Sequence, residues 1–168
     1  MTNVQRPQEI IAQLGLSPLP EEGGFYAETY RSSYTLDLPH GPRAAGTAIF
    51  YMITAGNFSA LHRLKHDEIF HFYQGDPVTM LLISENGSGQ EITLGHDIIS
   101  GQRPQAIVPA GVWQGSRIKT PQLGWSLMGT TMSPGFEFAD FELADREKLT
   151  ASCPDLSSEI ASLTRANS

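Results

Sequence analysis

An all-β chain with short α-helices at its two ends is what the sequence predicts, and three observations carry that expectation. From Gly56 onward the chain is a succession of short apolar or alternating runs, the period of strands rather than helices. Turn formers separate the runs at short intervals, "GDP", "ENGSG" and "SPG" among them. No segment between two runs has the length of a crossover helix, so seven or more strands must pair antiparallel in a sandwich or barrel.

The elements follow in order. "RPQEIIAQLGL" places Ile10, Ile11 and Leu14 at helical spacing and is stopped by Gly15, Pro18 and Pro20, which predicts a short amphipathic helix over about 6–15. The β core is expected over about 24–143. It starts in "EEGGFYAETYRSSYTLDLP", where Phe25, Ala27 and Thr29 alternate with Tyr26, Glu28 and Tyr30. "HGPRAAG" reads as a loop and "TAIFYMITAG" as a buried strand. Further strands are expected at "FSALHRL", "EIFHFYQG", "PVTMLLIS", "EITLG", "QAIVPAG", "GWSLMGTTM" and "FEFADFEL", with "ENGSG" the clearest hairpin signal. The tail changes character at Ala144, and two short helices are expected over about 144–164, with Leu156, Ile160 and Leu163 on one side of the second. Neither "GGFY" nor "GSGQ" continues as a phosphate-binding loop would, so both read as turns. The span 1–168 is expected to be a single domain, without internal repeat or linker.

Composition narrows the function. Lysine and arginine number 11 against 18 aspartates and glutamates, a formal charge of −7, which disfavours a nucleic acid backbone or an anionic membrane as partner. Cys153 stands alone and cannot form an internal disulfide. No apolar run approaches the roughly 20 residues of a membrane span, and the N-terminus lacks a secretion signal. A cytoplasmic protein is the expectation.

The chemistry is concentrated in "GNFSALHRLKHDEIFHFYQGDP", which holds His62, His66, Asp67, Glu68 and His71 between Gly56 and Gly75. With its spacing of Gly56, His62, Glu68 and Gly75, this stretch resembles the first motif of the cupin superfamily; Leu64 stands where that motif has a second histidine. "GQRPQAIVPAGVWQG" is similar to the second motif through Gly101, Pro109 and Gly111, with Gln114 in the histidine position. The resemblance runs from about Thr47 to Leu127 and implies a double-stranded β-helix, the cupin jelly roll. "EGGFYAETYRS", "HFYQGDP" and "VPAGVWQ" are similar to an uncharacterised cupin branch that resembles sugar-nucleotide epimerases, in which a histidine in a Leu-His context is the general base. That likeness carries over to His62 alone.

His62 and Glu68 are therefore the candidate catalytic pair, an imidazole base and an interior carboxyl whose pKa burial could raise. Trp113 and Gln114 follow the rigid "VPAG" turn and are expected at a barrel mouth, as ligand contacts with His71, Tyr73 and Trp125. His71 alternates away from Glu68 unless a bulge intervenes. His66 is expected to face solvent from the turn "KHDE", with Asp67 capping it. Glu28, Tyr30 and Arg31 sit on an edge strand expected to pair in a homodimer or to cover the pocket entrance. Acid/base chemistry without a cofactor is the expectation, a divalent metal on His62, Glu68, His71 and Gln114 the alternative. The functional reading is a cupin that binds a polar small molecule, as an epimerase or isomerase of a sugar-like metabolite. A ligand-binding sensor, a metal-dependent enzyme and a structural dimer without a working pocket stay open beside it.

Overall fold

The computed structural model describes residues 6–165. Helix α1 (Pro7–Leu14) begins with a proline, whose missing N–H costs nothing in a first turn, and stops at Gly15 with φ of 63°. The strands are β1 (Ser17–Pro18), β2 (Phe25–Arg31), β3 (Thr35–Leu38), β4 (Gly41–Ala44), β5 (Thr47–Thr54), β6 (Phe58–Leu64), β7 (Glu68–Gly75), β8 (Val78–Ile83), β9 (Gly89–Leu94), β10 (Gln105–Val108), β11 (Trp113–Arg117), β12 (Trp125–Met132) and β13 (Phe141–Leu143). Helices α2 (Arg146–Ser152) and α3 (Ser157–Ser162) close the chain. Six strands form one sheet in the order β1-β2-β5-β12-β7-β10, five form the other as β13-β6-β11-β8-β9, and every pairing of these strands is antiparallel. The two sheets face each other as an antiparallel jelly roll with peripheral helices. None of the described helices is long and apolar enough to cross a membrane.

Three apolar clusters hold the layers together. Between the sheets, Tyr51, Ile53, Phe70, Phe72, Met80 and Met128 fill the interior together with their neighbours. On the outer face of the six-stranded sheet, α1 lays Ile10, Ile11 and Leu14 over Met52 and Trp125. On the outer face of the five-stranded sheet, Leu61, Leu81 and Ile83 are covered by Leu149, Cys153, Ile160 and Leu163 of the C-terminal segment. Each sheet thus has two apolar faces near its helix, which explains why "TAIFYMIT" and "TMLLI" read as near-continuous apolar runs rather than as strict alternation. Buried Asp76 serves the "GDP" turn by accepting from the backbone N–H groups of Gln122, Leu123 and Gly124, so one carboxylate ties the β7–β8 turn to the entry of β12.

Two segments depart from the sequence expectation. "HGPRAAG" is the second half of a hairpin, β3 with β4, turned at Gly41 with φ of 111°; its proline lies on a two-stranded ribbon with no further neighbour, where a missing N–H breaks no ladder. Of "FEFADFEL" only the last three residues are strand, because Phe138–Asp140 wind into a 3-10 turn that carries Asp140 inward to Arg43.

Bulges set which side chains enter the interior. On β6, Ala60 and Leu61 together oppose the single Gly115 of β11, since His62 pairs with Gln114 and Ser59 with Ser116. On β2, Thr29 is the extra residue between Glu28 opposite Ile49 and Tyr30 opposite Ala48, so Glu28 and Arg31 share the inner face despite their odd spacing. The β6 bulge requires glycine opposite it: a Cβ on Gly115 would sit 3.0 Å from Leu61 Cγ and 3.2 Å from the Leu61 nitrogen. Gly115→Ala is expected to destabilise the fold by about 1–3 kcal/mol through overpacking, measured as a lower denaturant midpoint at unchanged slope.

Candidate functional site

A cavity of about 300 Å³ opens between the sheets, with Tyr51 and Phe70 of the interior cluster in its wall. Its polar lining includes Glu22, Tyr51, His62, Glu68 and Thr130, and Glu28, Arg31 and Glu137 stand among the rest of its wall. Tyr26, Phe70, Phe136, Phe138 and Phe141 supply apolar surface.

His62 is 2% exposed and lies on the inner face of β6. Its Nδ1 is 2.7 Å from the carbonyl oxygen of Ala60, in the bulge two residues earlier. A carbonyl only accepts, so Nδ1 carries the proton and Nε2 is the lone-pair nitrogen of the neutral ring. Nε2 lies 3.9 Å from Glu22 Oε2, and the ring stacks on Phe141 with centroids 5.1 Å apart. Glu22 comes from the loop between β1 and β2. Its carbonyl accepts from the Ala60 N–H at 2.8 Å, and its Oε1 accepts from the Ser59 hydroxyl at 2.8 Å. The loop is pressed down by glycines: a Cβ on Gly24, at φ of 75°, would meet Met52 O at 2.7 Å and the Tyr51 hydroxyl at 2.8 Å. The Tyr51 hydroxyl in turn donates to Gly23 O at 2.9 Å.

Glu68 enters from β7 and is buried. Gln114 Nε2 donates to its Oε2 at 2.8 Å. Burial pushes the Glu68 carboxyl above the ordinary carboxylate range and the nearby Glu22 charge adds to this, while His62 and the hydrogen bonds of Thr130 and Gln114 oppose it. Tyr51 is raised well above its ordinary value by burial first and the Glu22 charge second. The site therefore combines a lone-pair nitrogen with a carboxyl and a phenol that burial makes weaker acids.

Of the residues singled out in the sequence, His62 and Glu68 meet in this cavity with Glu28 and Arg31 in its wall, and the remaining candidate site residues do not line it. Gln114 stands behind Glu68 as its donor, with Oε1 buried and unpaired. Trp113 faces away from the interior, beneath the C-terminal segment, with the Arg63 guanidinium 4.5 Å from its ring centroid. Trp125 is packed under α1. His71 lies on the outer face of β7, its Nε2 2.9 Å from Thr131 Oγ1 and its Nδ1 3.3 Å from Gln105 Nε2. Tyr73 occupies a β7 bulge on that face, edge-on to Phe50. The imidazole of His62 is oriented by a backbone carbonyl and not by Glu68.

His66 is not the solvent-facing turn residue expected of "KHDE". Its side chain is 12% exposed and its Nε2 is 3.1 Å from His40 Nε2, because the β3–β4 hairpin folds over the turn. Burial is the main cause of its lowered pKa, with Asp140 opposing. Asp67 accepts from the Ala110 N–H at 2.8 Å, bridging to the "VPAG" turn rather than capping its own. His40, His66 and Asp140 are, among the described residues, the one set of three metal-ligating side chains with donor atoms within 4.8 Å of one another. Asp140 is already held at both oxygens by Arg43, at 2.6 and 2.7 Å, with Lys65 3.6 Å away, so this cluster is a crowded ion-pair node with little negative charge left for a metal. The Arg43 hydrogen bonds hold the Asp140 carboxyl below its ordinary value.

The family model Cupin_5, cupin superfamily (DUF985), matches residues 8–144. The chain belongs to this family. The protein SO0799 of Shewanella oneidensis has the same structure at a TM-score of 0.89, with 36% identity over 97% of this chain and 99% of that one. The uncharacterised yeast protein YML079W of Saccharomyces cerevisiae is 26% identical over 132 residues, 71% of this chain and 66% of its own length. A dTDP sugar isomerase of Desulfovibrio desulfuricans shares the fold at a TM-score of 0.52 and 15% identity, covering 71% of this chain and 83% of that one.

The metal position of the cupin fold is not met by these residues. Leu64 offers no donor atom, Gln114 turns an N–H toward Glu68, and His71 lies on the other side of the sheet. Two donors remain, His62 and Glu68, fewer than the three a catalytic site needs.

The raised Glu68 carboxyl has a measurable consequence. In the unfolded chain Glu68 ionises in the ordinary carboxylate range, whereas the folded protein keeps its proton to higher pH. Its contribution to stability is present in full below the unfolded value and is lost as pH rises through the folded one, at about 1.4 kcal/mol for each unit between them. Glu68→Gln, which keeps an acceptor for Gln114, is expected to match the wild type at acid pH and to exceed it increasingly as pH rises across that window. Chemical denaturation in a pH series checks this.

Proposed function

We propose that the cavity is the active site of a proton-transfer enzyme, an isomerase or epimerase of a small polar metabolite, with His62 as general base. The observation that carries the reading is the Ala60 carbonyl on His62 Nδ1, which leaves Nε2 as the free lone pair in a closed cavity beside the Glu22 carboxylate. A proton on the carbon next to a substrate carbonyl passes to Nε2, and the C–H electrons form the enolate. Glu22 stabilises the imidazolium that results. Glu68, whose hold on its proton burial strengthens, gives that proton to the enolate oxygen, which makes an enediol of an α-hydroxy carbonyl substrate. The imidazolium then protonates the adjoining carbon while the second hydroxyl of the enediol gives its proton to the Glu68 carboxylate, so the isomer forms and both groups end as they began. Burial of both groups strengthens each of these interactions relative to water. The shared fold of a dTDP sugar isomerase is compatible with such chemistry and does not identify the substrate.

Deuterium exchange tests the proposal. A metabolite found by thermal shift is incubated with the enzyme in heavy water, and incorporation at the carbon next to its carbonyl is followed by NMR. His62→Ala is expected to lower exchange by about 10²–10⁴-fold while the variant keeps its circular dichroism and thermal transition. Ligands that bind but never exchange would turn the reading to a sensor, and wild-type exchange in His62→Ala would remove His62 as the base. Glu22→Gln is expected to lower kcat more than it raises KM, since the charge it removes acts on the imidazolium formed in the transition state.

A further inference from the structure

We infer that the ligand of this cavity is a small organic cation, an ammonium-bearing metabolite, read by the Glu22 carboxylate and the aromatic rings around it. The inference rests on the proposed role of the cavity as substrate site and names the chemical class that role requires. Four carboxyl groups line the cavity, those of Glu22, Glu28, Glu68 and Glu137, and among the described lining residues the one lysine or arginine is Arg31. Four of the five Arg31 N–H groups are engaged. Its Nε and Nη2 donate to the two oxygens of Glu28 at 3.0 and 2.9 Å, its Nη1 to Glu137 at 2.8 Å, and Nη2 also to Phe136 O at 3.1 Å. A phosphate or carboxylate on a ligand would compete with two glutamates for it and would bring a further negative charge into the cluster. Arg31 is thereby a poor anion site in the ground state.

The negative side is not balanced in the same way. Glu28 and Glu137 share Arg31, and Glu68 is buried and held from behind by Gln114. Glu22 is left with a hydroxyl on Oε1, and its ion-pair contact among the described residues is His62, at 3.9 Å from Oε2. Tyr26, Tyr51, Phe70 and Phe141 line the same cavity. A carboxylate beside aromatic rings is the arrangement that holds a desolvated ammonium, through charge on one side and ring quadrupoles on the other. The volume, about 300 Å³, lies at the small end for metabolite sites.

The test uses matched pairs that differ in charge and little in shape. Choline is compared with its carbon isostere 3,3-dimethylbutan-1-ol, and D-glucosamine, at slightly acidic pH where its amine is protonated, with D-glucose; D-glucose 6-phosphate is the anionic control. Isothermal titration and the NMR shifts of the His62 ring are read for wild type and Glu22→Gln. At least one ammonium compound is expected to bind tenfold or more tightly than its neutral partner and to shift the His62 resonances, with the preference lost in Glu22→Gln. Equal binding within both pairs, no binding of either cation at millimolar concentration, or tighter binding of the phosphate would overturn the inference, whatever the behaviour of the variant. The two readings fail separately. Exchange that depends on His62 in a neutral or anionic substrate would sink the cation assignment and leave the base in place. A cation preference without exchange in any bound compound would keep the assignment and remove the enzyme.

Discussion

The β6 bulge at Ala60–Leu61 is the constraint on which the site depends. A regular strand would spend its carbonyls and N–H groups on its two neighbours. By setting two residues against Gly115, the chain frees backbone groups at one point, and each finds a partner of consequence. The Ala60 carbonyl takes the His62 Nδ1 proton, the Ala60 N–H anchors the Glu22 carbonyl, the Leu61 N–H binds Leu163 O, and the Leu61 carbonyl accepts from Ala144. One irregularity therefore fixes the tautomer of the base, the loop that carries its carboxylate neighbour, and both ends of the C-terminal cover. Buried backbone groups must pair somewhere, and here that requirement joins the N-terminal loop to the C-terminal helices through the site.

The cover matters as much as the site. Because α1 and the C-terminal helices each seal an outer sheet face, the interior need not supply the whole core, and one end of it can remain polar. That end is desolvated all the same, with Glu68, His62, Gln114 and Ser59 each under 10% exposed. Desolvation is the largest cause of the raised Glu68 and Tyr51 pKa values and the Glu22 charge adds to both, so the acid character of the site follows chiefly from the packing around it. The same burial makes an unbalanced carboxylate such as Glu22 costly in the empty cavity and gives a cationic ligand something to offset.

Much of the fold was legible because it rests on local signals: glycine and proline punctuation, strand-length apolar runs, and the motif register of Gly56, Gly75, Pro109 and Gly111. The two residues that share the cavity, His62 and Glu68, were legible for the same reason. Glu22 was not. It lies 40 positions before His62 in the sequence and reaches it through a backbone hydrogen bond that no periodicity announces. Its signal was the pair of glycines after it, which permits a close approach to Met52 and Tyr51, although "GGFY" reads as a plain turn. Glu28 and Arg31 were legible as edge-strand residues that could reach the pocket entrance, but their sharing one face was hidden by the Thr29 bulge, which reverses the alternation just before Arg31. Trp113 and Trp125 were drawn toward the ligand by their chemistry alone, whereas each sheet had a helix to pack against, and a large apolar side chain on a doubly covered sheet has two faces to choose from.

The departures from the metal-binding cupin pattern form a coherent set when taken together. Leu64 replaces a donor with an apolar side chain on the inner face of β6, and Gln114 replaces an imidazole with an amide whose N–H is spent on Glu68. A metal would require Glu68 as an ionised ligand, whereas burial and the Glu22 charge favour its protonated form. Restoring histidine at position 64 alone would leave that conflict standing, since burial would still raise the Glu68 carboxyl and position 114 would still carry an amide. The cavity instead sets a fixed imidazole lone pair against a carboxyl that burial makes a weaker acid, the tautomer of the one and the proton affinity of the other both following from contacts within the chain itself.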